Sequence, residues 1–137
     1  MVLKSIIMSA NHLKCVVLAA STRTLKEQMN DLQADFQSVV TVQNEGALVE
    51  NSIRMQPSVV LADLSLTRDS SFGWLRRLLS RCPMSRVIVL SDSPEHSVRE
   101  AAFNAGAAGF VLKVKISSHL LHAVDQVLAG HRYGTAS

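Results

Sequence analysis

Three residues able to do chemistry stand at the ends of apolar runs. Asp63 closes "VVLAD" (59–63), Ser91 closes "RVIVLS" (86–91) and Lys113 closes "GFVLK" (109–113). A carboxylate, a hydroxyl and an ammonium are a nucleophile, a hydrogen-bond donor and a fixed positive charge, the parts needed for covalent transfer of a group onto an acid. The carboxylate is the one that needs explaining. Burying even a neutral polar group without a partner costs roughly 2–7 kcal/mol. A single Asp ending a strand is also a common turn residue, so its meaning depends on whether the other two side chains reach it.

The elements that would position them follow from periodicity. Apolar runs of strand length, 15–20, 38–42, 59–63, 86–91 and 109–113, alternate with segments of helical spacing at 22–33, 45–56, 71–82, 94–105 and 117–129. Pro57 and Pro83 stop the second and third helices. Ser93 is expected to cap the fourth, with Pro94 in its first turn and Gly106 as the left-handed C-cap. Ser117 or Ser118 is expected to cap the last, and Gly130 to end it. Five β/α units in strict alternation predict an α/β fold: a five-stranded parallel sheet, wrapped by helices on both faces. The near-continuous apolar character of strands three to five fits strands buried on both sides. Ligands of such sheets sit beyond the carboxyl ends of the strands, which gathers Ala19, Ala20, Asp63, Ser91 and Lys113 at one edge.

At these positions the chain resembles a known family. "SVVLADLSL", "RVIVLSDSPE" and "AAFNAGAAGFVLK" look like the third, fourth and fifth strand regions of response-regulator receiver domains of two-component signalling, and the likeness runs from Lys14 to Gly130. The resemblance implies a flavodoxin-like (βα)5 fold. It makes Asp63 the phosphoryl acceptor, Ser91 the hydroxyl that bonds a phosphoryl oxygen, Phe110 the switch aromatic and Lys113 the cation paired with the phosphoryl group. It also implies a sensor histidine kinase as a partner, and an output face here including Arg99, Asn104, Lys115, His119 and His122, suited to a partner protein or a second copy of the chain.

The sequence departs from the family in one respect that matters chemically. Receiver domains carry two adjacent acids after the first strand to hold Mg²⁺, and Ala19 and Ala20 stand there instead. Mg²⁺ requires near-octahedral hard oxygen ligands, usually with carboxylates among them. Asp63 and the backbone carbonyl of Ser65 are the protein groups left to serve, so weak Mg²⁺ binding is expected. Phosphoryl transfer relies on the metal to neutralise charge, so phosphorylation of Asp63 is expected to be slow, with a resting Asp63–Lys113 ion pair satisfying both side chains. Thr67 and Val114 are lesser departures, at positions where the family usually has Pro and Pro or Asp.

Composition sets the frame. The 137 residues suit one domain. They are 47% apolar but only 4% aromatic, so aliphatic side chains must fill the core. The net charge of +3 is spread along the chain, an unpromising pattern for a nucleic-acid surface. Cys15 and Cys82, in apolar segments without a C-x-x-C, read as reduced core thiols of a cytoplasmic protein. No apolar run approaches the ~20 residues that span a bilayer. The expected organisation is a leader over 1–13, a receiver-like domain over 14–130, and a tail or start of a linker over 131–137, with any DNA contact made through an output domain outside this segment. A flavodoxin-like nucleotide or flavin binder using Ser21, Thr22 and Thr24 as an anion loop is the alternative, weakened by the absence of a glycine there. An enzyme is not expected: none of the five histidines stands at a strand end beside a nucleophile.

Overall fold

The computed structural model describes residues 14–18, 38–68 and 71–134. The strands are β1 (Lys14–Leu18), β2 (Ser38–Val42), β3 (Val59–Asp63), β4 (Arg86–Ser91), β5 (Gly109–Leu112) and β6 (Tyr133–Gly134). The helices are α1 (Glu45–Met55), α2 (Gly73–Arg81), α3 (His96–Asn104) and α4 (Ile116–Leu128). Among the described residues the strands form one sheet in the order β2-β1-β3-β4-β5-β6, with every pair parallel. The helix expected over 22–33 lies outside the described residues.

Period-2 alternation sorts the strand residues onto two cores. Val16, Leu18, Val60, Ala62, Val87, Val89, Phe110 and Leu112 face one way, against Leu48 of α1, Trp74, Leu75 and Leu78 of α2, and Ala102 and Phe103 of α3. Cys15, Val17, Val59, Leu61, Ile88, Leu90 and Val111 face the other way, against Ile116, Leu120, Ala123, Val124 and Val127 of α4. Strand order and register bring the ends of β3, β4 and β5 side by side: Asp63 pairs with Leu90, and Ser91 with Leu112.

Several helix ends differ from the expected ones, each for a local reason. α1 is capped by Asn44, whose Oδ1 accepts from the Ala47 N–H at 2.8 Å, and it ends at Gln56 in the left-handed region before Pro57. α3 starts at His96 rather than at Pro94. Ser93 does not cap that helix: its hydroxyl accepts the Glu95 N–H at 3.1 Å in a separate turn, which delays the first helical residue. At the other end Gly106 (φ 111) supplies the expected left-handed C-cap, and the Ala107 N–H reaches back to Ala102 O at 3.0 Å. α4 begins one residue early and has no side-chain cap. Residues Lys113–Lys115 form a 3-10 turn that feeds directly into it, so the Ser118 hydroxyl donates to Lys115 O instead of capping. β6 adds a two-residue edge strand to the five expected, anchored by the Tyr133 N–H on Ala108 O at 2.9 Å. No helix among the described residues is long and apolar enough to cross a membrane.

Candidate functional site

Asp63 ends β3 and caps the 3-10 turn Leu64–Leu66 that follows. Its carboxylate is 1% exposed, so the desolvation problem posed by the sequence is real. It is answered by three donors. Oδ1 accepts from the Ser65 N–H at 2.9 Å, the Ser65 hydroxyl at 2.8 Å and Lys113 Nζ at 3.1 Å. Oδ2 lies 2.9 Å from the same ammonium. The carboxylate is therefore bridged by a single lysine and fixed from below by a two-residue turn, the charge-assisted kind of contact that is strongest when partly dry.

Lys113 reaches Asp63 from just beyond β5. The strand stops at Leu112, one residue earlier than expected, and Lys113 opens the 3-10 turn. Partial burial pushes its ammonium down, but the hydrogen bond and charge of Asp63, with those of Asp92, outweigh it and hold the pKa above the ordinary lysine value. Asp92 is the participant that sequence reasoning missed. Its Oδ1 and Oδ2 stand 3.4 and 3.5 Å from Lys113 Nζ, on a side chain 70% exposed. The available signal was an acid immediately after the hydroxyl residue that ends β4.

Ser91 is buried at the end of β4. Its hydroxyl donates to Ser93 O at 3.1 Å and accepts the Ser93 N–H at 3.0 Å, so it clamps the turn at residues 91–93. Phe110 is buried in the core shared with α1, α2 and α3, three residues before Lys113. Thr67 closes the turn after Asp63 with both its N–H (3.1 Å) and its hydroxyl (2.9 Å) on Leu64 O, two bonds that proline could not make. Val114 is 85% exposed. Phe72, before α2, adopts φ 61, a left-handed conformation costing a non-glycine residue about 1–2 kcal/mol. It packs 6.3 Å, centroid to centroid, from the buried ring of Trp74.

Of the residues on the expected output face, Arg99 and His122 each make a ring contact. Arg99 and Arg132 stand over the Phe103 ring at 5.5 and 4.7 Å, and His122 meets Tyr133 edge-on at 5.4 Å. Asn104 is exposed and Lys115 half-buried, while His119 contacts the Ser118 hydroxyl at 2.7 Å.

Among the described residues no three His, Cys, Asp or Glu side chains sit together as a metal site, and Asp63 already accepts from Ser65 and Lys113. Ala19 and Ala20, which follow β1 in the sequence and lie outside the described residues, bring no side-chain oxygen. A hard cation needing several oxygen ligands meets the Asp63 carboxylate already engaged by Lys113, and that of Asp92 beside the same ammonium.

Comparison with known proteins identifies the arrangement. The family model described as the response regulator receiver domain matches residues 15–125. Transcriptional activator protein ExaE of Pseudomonas putida is 39% identical over 77 residues, 56% of this chain and 36% of that protein. Fimbriae Z protein of Escherichia coli K12 is 25% identical over 118 residues, 85% of this chain and 54% of that protein. The chain thus spans about half or less of these two relatives. A two-component response regulator of the LuxR family from Aurantimonas sp. SI85-9A1 superposes with a TM-score of 0.76 at 18% identity, over 91% of this chain and 90% of that one, a likeness that speaks for the fold. The nucleotide- or flavin-binding alternative finds no favour here, and its Ser21, Thr22 and Thr24 lie outside the described residues. By a match spanning most of its length, this chain belongs to the response-regulator receiver domains of two-component signalling.

Proposed function

We propose that this receiver accepts a phosphoryl group on Asp63 slowly, and that its resting state is a lysine-locked form whose switching depends little on phosphate. The observation that carries the reading is the contact of Lys113 Nζ with both Asp63 oxygens. In the transfer, an Asp63 oxygen attacks phosphorus of a phosphohistidine on a sensor kinase. The new P–O bond forms as the P–N bond breaks, and the imidazole leaves with the electron pair and takes up a proton. Lys113 neutralises charge on the phosphoryl oxygens, and Ser91 turns its hydroxyl from Ser93 toward one of them while Phe110 repacks. The lock raises the cost of this step, because the ammonium has to leave a carboxylate it already satisfies. Mg²⁺ binds weakly, because the paired acids after β1 are absent.

The same reading assigns residues 14–130 to the receiver, 1–13 to a leader and 131–137 to a tail or the start of a linker. Partners are a sensor kinase or another signalling protein, with a homodimer through the Arg99–His122 face, and DNA is reached only through an output domain outside this segment. The free, buried Cys15 and Cys82 suit the cytoplasm. Acetyl phosphate labelling tests the acceptor: slow incorporation, followed by intact mass, should vanish in Asp63→Asn. Label persisting in that variant would place the acceptor elsewhere.

A further inference from the structure

The ammonium that locks Asp63 is shared. Asp92 stands 3.4 and 3.5 Å from Lys113 Nζ through its two oxygens, against 2.9 and 3.1 Å for Asp63. The placement of Asp92 is set by its turn. It is the middle residue of the turn that the Ser91 hydroxyl clamps at both the N–H and the carbonyl of Ser93. The exposed carboxylate is thereby held beside a lysine that emerges from the neighbouring strand. Asp63 is buried and Asp92 is in water, so the first contact is the stronger and the second the more easily exchanged.

We propose that Asp92 is a positioning residue that competes for Lys113 and so holds down phosphorylation of Asp63. The proposal rests on Asp63 being the acceptor, as argued above. A phosphoryl group on Asp63 exchanges a singly charged carboxylate for a group of higher negative charge that needs Lys113 for itself. Asp92 opposes this in two ways: it keeps a share of the ammonium, and it places a like charge at the mouth of the site. The Ser91 hydroxyl links the two events. The donor assigned to the phosphoryl oxygen is the one that now fixes the Asp92 turn, so committing it to phosphate releases Asp92 from its place beside Lys113.

The chemistry to be measured is simple. Acetyl phosphate gives up its phosphoryl group to an Asp63 oxygen, the bond from phosphorus to the acetate oxygen breaks, and acetate leaves with the electron pair. With excess Mg²⁺ supplied, Asp92→Asn should label about two- to fivefold faster than the wild type, the scale of one solvent-exposed charge contact. It should also bind beryllofluoride, a phosphoryl mimic, correspondingly tighter. Both gains should shrink in high salt, because the contact is open to counter-ions. Asn matches Asp in size, so a merely steric role for residue 92 predicts no change. Wild-type labelling and wild-type beryllofluoride affinity in Asp92→Asn would overturn the proposal while leaving Asp63 as acceptor. Absence of label and of beryllofluoride binding in the wild type and Asp92→Asn alike would overturn the acceptor reading, and this proposal with it.

Discussion

Lys113 Nζ lies 2.9 Å from Asp63 Oδ2 and 3.1 Å from Oδ1, so one ammonium spans both oxygens of a carboxylate that is 1% exposed. The two residues are 50 positions apart, and only the adjacency of β3, β4 and β5 brings them together. Removing Lys113 leaves the carboxylate buried with the two Ser65 donors alone. Lys113→Ala is expected to destabilise the wild type by about 1–3 kcal/mol, the range for a buried polar group stripped of one partner. In an Asp63→Ala background the same change should cost much less. Urea denaturation of the four proteins in a double-mutant cycle measures the difference; additive losses would mean that the contact contributes no coupling energy.

Metal affinity is the second expectation. With the Asp63 carboxylate engaged by Lys113, Asp92 sharing the same ammonium and no acid at residues 19 and 20, the wild type should bind Mg²⁺ too weakly to saturate in the low-millimolar range. Adding Ala19→Asp and Ala20→Asp together should tighten binding by at least about tenfold, since a hard cation gains affinity with each charged oxygen. Calorimetric titration decides it. Saturation of the unaltered protein in the low-millimolar range or below would contradict the expectation.

The limits of β2, β3 and β4 and the Asp63–Lys113 pairing were readable in the sequence, because buried parallel strands leave long apolar runs and the strand-end rule then aligns their last residues. Asp92 was not. Its role depends on a turn conformation set by a side-chain hydroxyl, and no periodicity encodes that. The Ser93–Pro94 pair looked like a helix start because a serine before a proline fits two structures equally: a cap, or the tight turn that the Ser93–Glu95 bond makes here. β6 leaves no sequence signal for a different reason. Two residues carry no alternation, and their pairing is decided by where α4 delivers the chain.

Burial raises the Cys15 thiol from its ordinary 9.0 to about 12, which predicts both reactivity and alkaline stability. In the fold the thiol stays protonated where the unfolded chain would ionise it. The contribution to stability is therefore complete below about pH 9 and is lost as pH rises toward 12. Urea midpoints measured from pH 8 to 11 should fall less steeply in Cys15→Ala than in the wild type. At pH 8 a thiol reagent should modify Cys15 no faster than the protein unfolds globally, because the thiolate is the nucleophile and the side chain is fully buried.

Gly134 pairs in register with Phe110, where an added side chain would meet close neighbours. A Cβ added there would stand 3.0 Å from the Arg99 guanidinium and 3.3 Å from Phe103 Cζ. The guanidinium is itself confined by its position over the Phe103 ring, where Arg132 also packs. Gly134→Val should therefore detach β6 locally. Amide exchange at Tyr133, whose N–H bonds Ala108 O, should accelerate, and trypsin should cut after Arg132 sooner than in the wild type. Global stability should fall by less than about 1 kcal/mol, because two edge residues bury little apolar surface. A large loss of global stability would mean that β6 supports the core. Unchanged exchange at Tyr133 would mean that Arg99 moves aside and the strand stays docked.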